Sequence, residues 1–356
     1  FVIDETKFVS DALRVRVRID YKLPGIQRIG RENFKNHPVL SSMEIVNFAD
    51  ATNFMVKPEH AQSLHDLVFG NRLEPAINAE YRLDQCSKDT GLRLDTLESW
   101  VRAIERKGQA ILYGPPGTGK TFVADHLAKY LIGGGDGFKE LVQFHPAYSY
   151  EDFVQGIRPK SRDDGKLEYS LAPGRFLNFC QKARGCKGIC VLIIDEINRA
   201  NLSRVFGELM YLLEYREDEI PLAADETLFG IPRNVRIIGT MNTADRSIAL
   251  VDHALRRRFA FLRLQPEYNT LRSYHEREET RFPIDKLIQI LTDLNREIGD
   301  PHYEVGISYF IWNDLEAQIA DIWTMEIEPY LEEYFFNDPD KIKNYRWDTI
   351  KDRLNP

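Results

Sequence analysis

The chain has 356 residues, 43% of them hydrophobic and 29% charged, with a formal net charge of −8. That is enough for one large core or two ordinary ones. No run of about 18 apolar residues could cross a bilayer, and the opening FVIDETKFVS lacks a basic-then-apolar leader, so a cytoplasmic protein is expected.

The acidic balance excludes an all-over nucleic-acid coat but leaves room for a local basic patch. Cys86, Cys180, Cys186 and Cys190 show no CxxC spacing and read as reduced thiols. The first residue is Phe1, so further sequence upstream is expected.

Residues 1 to 88 carry short apolar runs, scattered turn residues and no phosphate motif, which predicts a small separate α+β module. Within it, LRVRVRID alternates Arg14, Arg16 and Arg18 with Val15, Val17 and Ile19, the period of a strand with one basic face. Such a face suits a solvated strand or a contact with nucleic-acid phosphates.

From 89 to 267 apolar strands alternate with helical segments, the pattern of a mostly parallel sheet flanked by helices. The expected buried strands are AILYG, LVQFH, ICVLIID, VRIIGTMN and FAFLRL. From 268 to 356 strands give way to helical spacing, as in IDKLIQILTDLNREI, and a helical lid is predicted.

Between the first of these strands and an amphipathic helix lies GPPGTGKT, that is Gly114, Pro115, Pro116, Gly117, Thr118, Gly119, Lys120 and Thr121. The glycines let the backbone curl so that its N–H groups and the helix N-terminus face a polyphosphate. In this pattern Lys120 reaches the β and γ phosphates and Thr121 offers a hydroxyl to Mg²⁺. The strand ICVLIID ends in adjacent acids: Asp195 suits Mg²⁺ held through water, and Glu196 suits activation of the attacking water. Asn242, just past VRIIGTM, suits either a turn or helix cap or a contact with that same water, and its neighbours favour the water. Arg256, Arg257 and Arg258 close a helix, where cations stabilise the dipole. Triphosphate hydrolysis also needs positive charge at the γ-phosphate, which a neighbouring subunit can supply.

GPPGTGKT, QFHPAYSYEDFVQGIRP, DEINRANLSRVFGELM, MNTADRSIALVDHALRRRF and PYLEEYFFNDP together resemble the McrB family of AAA+ proteins over about 108 to 340. The resemblance implies a P-loop NTPase core with sheet order 5-1-4-3-2, a helical lid, a ring that in the family usually has six subunits, GTP as substrate with Mg²⁺, an endonuclease partner of the McrC type, and DNA carrying modified cytosine. It makes Asn242 the sensor, with Asp245 and Arg246 completing its signature. Arg257 and Arg258 fall on the family's arginine pair, where a finger acting on the next subunit is expected. Asn198 and Arg199 fall on the segment through which the partner tunes hydrolysis. Ile307, in EVGISYF, stands where a polar residue, usually His, is expected, which puts a lid contribution to nucleotide sensing in doubt. The alternative is a MoxR-like ATPase that remodels protein complexes, because DEINRA occurs there too; MNTADRS favours McrB.

Overall fold

The computed structural model describes residues 77–161, 167–224, 227–245 and 253–354, together with two short antiparallel strands, Val2–Ile3 and Val17–Arg18. The chain divides into two compact units, Phe1–Ala76 and Ile77–Pro356. Arg14, Arg16 and Arg246 lie outside the described residues.

The second unit begins with α1 (Leu83–Thr90) and α2 (Leu94–Lys107), each closed by a glycine in the left-handed region, Gly91 and Gly108. Cys86 of α1 is buried in the same apolar cluster as Leu127 and the strand residues Ala110 and Leu112, so α1 packs with the main sheet. The unit therefore starts ahead of the break expected after residue 88.

Then follow β1 (Gln109–Gly114), α3 (Lys120–Ile132), β2 (Lys139–Gln143), β3 (Cys190–Asp195), β4 (Val235–Asn242) and β5 (Ala260–Arg263). All neighbours pair in parallel, in the order β5-β1-β4-β3-β2, which is the expected 5-1-4-3-2. Successive residues of the central strands enter opposite cores. Ile111, Leu192, Ile194 and Ile237 join one cluster, while Ala110, Leu112, Val191, Ile193 and Ile238 join the other with α2 and α3. Burial on both faces is why these strands read as continuous apolar runs.

β2 departs from the expectation of a buried strand. It is the edge of the sheet, its residues alternate in exposure, and Leu141 is 57% exposed. A hairpin formed by Gln155–Ser161 and Leu167–Pro173 is a further departure from the linear pattern. Gly156 and Pro159 within its first strand weaken the usual strand signal.

After Arg263 the described chain is helical, including Tyr268–Arg277 and Ile284–Ile298. These helices share a third core with Phe310 and Trp323 at its centre, and the Trp323 indole donates to the Tyr345 carbonyl at 2.8 Å. No helix among the described residues is long and apolar enough to cross a membrane.

Candidate nucleotide-binding site

The loop between β1 and α3 owes its shape to close packing as well as to its glycines. Gly117 and Gly119 adopt φ of 74° and 80°, which other residues reach only at a cost. A Cβ on Gly114 would lie 2.1 Å from the Leu264 carbonyl oxygen. Gly119 caps α3 without a side chain, so the positive end of the helix dipole stays open towards the loop.

Lys120 donates from its ammonium to the carbonyls of Gly114, at 3.1 Å, and Pro115, at 2.8 Å. Burial pushes its pKa down to about 8, against the opposing pull of the Glu196, Asp195 and Asp245 carboxylates. A partly desolvated ammonium in a curl of backbone amides is suited to a multiply charged anion.

β3 and β4 bring the second half of the site to the same end of the sheet. Asn242 is the last residue of β4 and lies in parallel register with Gly114, the first residue of the loop. Asp195 Oδ1 accepts from the Thr121 hydroxyl at 2.6 Å and from the Thr240 hydroxyl at 2.7 Å. Thr240 in turn accepts from the Glu196 N–H at 3.1 Å. Thr240 is buried, and its hydroxyl locks the strand end that carries both acids. Sequence reasoning missed it, although it stands two residues before Asn242 and so on the same face of the strand.

Glu196 takes φ of 52°, a left-handed conformation that a non-glycine residue holds only when its surroundings over-determine it. Arg199 reaches back to Glu196 Oε2 at 3.3 Å and to Asp245 Oδ2 at 3.5 Å, bridging the two carboxylates. Asn198 donates its amide to the Asn242 carbonyl at 3.2 Å, while its own Oδ1 is buried and accepts no hydrogen bond among the described residues. The structure thus gathers Lys120, Thr121, Asp195, Glu196, Asn198, Arg199, Asn242 and Asp245 at one end of the sheet.

The arginines go elsewhere. The Arg257 carbonyl accepts from Lys107 at 2.6 Å, and the Arg258 carbonyl accepts from Gln109, the first residue of β1, at 2.8 Å. Five strand steps, roughly 16 Å, separate that end of β1 from the phosphate loop. The three also differ from one another: Arg256 and Arg257 are exposed, whereas Arg258 is 18% exposed and pairs with Glu214 at 3.2 Å. Gln109 is fully buried and also donates to the Leu213 carbonyl at 2.6 Å, tying helix Leu209–Glu214 to the arginine helix. A glutamine opening an apolar strand was the available signal for that link.

Ile307 is buried in the lid core. The lid nevertheless meets the phosphate loop, through backbone groups of its neighbours: Gly306 N–H donates to the Pro116 carbonyl at 3.1 Å and Ser308 N–H to the Gly117 carbonyl at 2.8 Å. The contact between the lid loop and the phosphate loop is thus made by backbone groups and does not depend on a polar side chain at 307.

Comparison with known proteins bears on this arrangement. Residues 109–259 match the family model of the AAA domain of the dynein-related subfamily, and residues 286–343 match that of the McrB alpha-helical lid domain. The chain is 38% identical to the type IV methyl-directed restriction enzyme EcoKMcrB subunit of Escherichia coli (strain K12), over 86% of this chain and 71% of that protein. It is 28% identical to the type II restriction enzyme BsuMI component YdiS of Bacillus subtilis (strain 168), over 50% of this chain and 61% of that protein. At the same 28%, it also matches the ATP-dependent zinc metalloprotease FtsH 1 of Alkaliphilus metalliredigens (strain QYMF), over 58% of this chain and 34% of that one.

Proposed function

Since the chain belongs to the McrB family, as a nucleotide-hydrolysing AAA+ subunit of a McrBC-type restriction system, we propose that it is a GTPase that works as a ring, with each active site completed by Arg257 of the next copy. The observation that carries this reading is the placement of the charges. Lys120, Asp195, Glu196 and Asn242 meet at one end of β1, while Arg257 lies exposed at the other, out of reach of its own phosphate loop.

Within one copy the roles follow from the contacts. The amides of residues 114 to 121, together with Lys120, bind the phosphates. Mg²⁺ suits the Thr121 hydroxyl and the Asp195 carboxylate, which already converge on each other; the ion would neutralise charge on the β and γ phosphates. Glu196 takes the proton of the attacking water, and Asn242 orients that water. Asp245, with Arg246 as the other half of its signature, anchors Arg199, which restrains Glu196. Arg258 serves its own chain through Glu214, so the finger falls to Arg257.

The partners we propose are a McrC-type endonuclease subunit, acting through Asn198 and Arg199, and DNA carrying modified cytosine, in keeping with the methyl-directed restriction for which the Escherichia coli relative is named. Power from hydrolysis would move or remodel that DNA for the nuclease. Phe1–Ala76 is the segment we assign to DNA, with Arg14, Arg16 and Arg18 as phosphate contacts. Changing all three to Ala should weaken DNA binding and flatten its salt dependence. The MoxR-like alternative is disfavoured by the match to the McrB lid.

The deciding experiment compares GTP and ATP turnover with and without a cognate McrC-type subunit. GTP should be used well, ATP poorly, and the partner should raise the rate. Equal kcat/KM for the two nucleotides and no response to the partner would overturn the proposal.

A further inference from the structure

The lid loop from Asp300 to Phe310 is gripped from both sides. On one side it touches the phosphate loop so closely that only glycines fit: a Cβ on Gly306 would lie 2.0 Å from the Gly117 carbonyl carbon, and one on Gly117 would lie 2.4 Å from the Tyr309 ring. On the other side stands Asn295, on the lid helix Ile284–Ile298 and only 9% exposed. Its Oδ1 accepts from the Val305 N–H at 2.7 Å, and its amide donates to the Val305 carbonyl at 3.1 Å and to the Tyr268 hydroxyl at 2.8 Å. One buried side chain thus holds both backbone groups of the residue next to Gly306.

A third tie comes from the sensor strand. Thr243, immediately after Asn242, donates from its backbone N–H to the Gly114 carbonyl at 3.0 Å and from its hydroxyl to the lid carbonyl of His302 at 3.1 Å.

We infer that Asn295 and Thr243 are positioning residues of the nucleotide site: Asn295 seats the lid loop so that its backbone aims the phosphate-loop amides, and Thr243 links that loop to Asn242. The inference rests on the nucleotide-hydrolysis reading of the site. Its physical basis is the trans peptide, in which C=O and N–H point in opposite directions. Gly306 and Ser308 hold the carbonyls of Pro116 and Gly117 towards the lid, so the N–H groups of Gly117 and Thr118 in those same peptide planes are turned away from it, into the curl of the loop. The lid thereby fixes the amides in the orientation that a phosphate needs before any nucleotide arrives, and preorganised donors bind more tightly than ones that must first be turned. Through Thr243, a shift of Asn242 on hydrolysis is passed to His302 and the lid without any contact from the side chain at 307.

The test uses the full chain, a fluorescent non-hydrolysable GTP analogue for affinity and steady-state GTP turnover for rate. Asn295→Leu, similar in size but unable to hold Val305, should weaken analogue binding on the order of 10-fold. Gly306→Ala should weaken it at least as much. Thr243→Val should leave the Kd within about 2-fold and lower kcat on the order of 10-fold, and Thr243→Ser, which keeps the hydroxyl, should restore kcat. Should Asn295→Leu fail to fold, the Thr243 pair and Gly306→Ala still decide. Wild-type kcat in Thr243→Val, a Thr243→Ser no better than Val, or unchanged affinity in Gly306→Ala would overturn the inference while wild-type turnover left the underlying reading intact. Wild-type protein that hydrolysed neither GTP nor ATP would sink both.

Discussion

Asn242 lies directly across from Gly114 in the parallel pairing of β4 with β1, so the residue assigned to orient the water ends its strand beside the first residue of the phosphate loop. Its Oδ1 accepts from the Ala244 N–H at 3.2 Å, which fixes the side chain in the turn that follows. Asn242→Ala should therefore keep nucleotide affinity and reduce turnover about 100-fold or more, in line with the loss of a group that positions a reacting water. Single-turnover kinetics would check it, and a rate within a few-fold of wild type would rule the assignment out.

Lys120 and Glu196 should separate binding from chemistry. Lys120→Ala removes the cation from the loop and should weaken triphosphate binding and ring assembly. Glu196→Gln should retain binding and abolish hydrolysis, because only water activation is lost. Equal nucleotide affinity in wild type and Lys120→Ala would contradict this division of roles.

Arg257 and Arg258 should behave differently although they are adjacent. Arg257→Ala, at an exposed position with no carboxylate partner among the described residues, should cost on the order of 10³ to 10⁵ in rate with an unchanged melting temperature. Arg258→Ala releases Glu214 and should lower the melting temperature first. Rings co-assembled from Arg257→Ala and Glu196→Gln subunits contain interfaces that pair an intact Glu196 with an intact Arg257. Those mixtures should regain GTP turnover that neither parent shows, and verified mixed rings that stay inactive would refute a finger acting in trans.

The buried ammonium of Lys120 predicts a pH dependence of binding. Its pKa in the free protein is about 8, below the ordinary value of 10.5. A bound polyphosphate favours the charged form and raises that pKa, so above about pH 8 binding must take up a proton. The Kd should then rise with pH, by at most about tenfold per unit, and be flat with respect to this group below about pH 7. Titration of the analogue in both ranges checks it: a Kd unchanged up to about pH 9.5 would show that Lys120 is not the group being charged.

Asn198, whose amide donates to the Asn242 carbonyl, carries a buried Oδ1 that accepts no hydrogen bond among the described residues. An unpaired buried acceptor costs roughly 1–3 kcal/mol, a cost retained most readily where another group is to be received. Asn198→Ala should blunt stimulation by a McrC-type subunit more than it lowers basal turnover. Undiminished fold-stimulation in the variant would remove Asn198 from that role.

Much of this protein was written locally. The phosphate loop, Lys120 and Thr121 are contiguous, and the paired acids close a strand whose apolar run betrays burial on both faces, so the sequence alone marked them as parts of one site, and Thr121 and Asp195 do meet. Single residues inside such runs were harder to weigh: Thr240 and Gln109 look like interruptions of apolar strands, and only their partners, Asp195 in one case and the Leu213 and Arg258 carbonyls in the other, give them a purpose.

The remainder depended on pairings between distant segments, which a linear pattern does not specify because apolar strands of similar composition can pair in several orders. Motif resemblance supplied the order 5-1-4-3-2, but the register that sets Asn242 against Gly114, the edge position that exposes Leu141, and the different surroundings of Arg257, exposed, and Arg258, paired with Glu214, follow from how the sheet and its helices pack. The lid shows the difference most clearly. From the sequence, Ile307 put a lid contribution to sensing in doubt; in three dimensions its side chain fills the lid core, and the backbone of Gly306 and Ser308 reaches the phosphate loop. Side-chain chemistry is legible residue by residue, whereas backbone donors are the same at almost every position, and only tertiary packing selects which of them meet a partner.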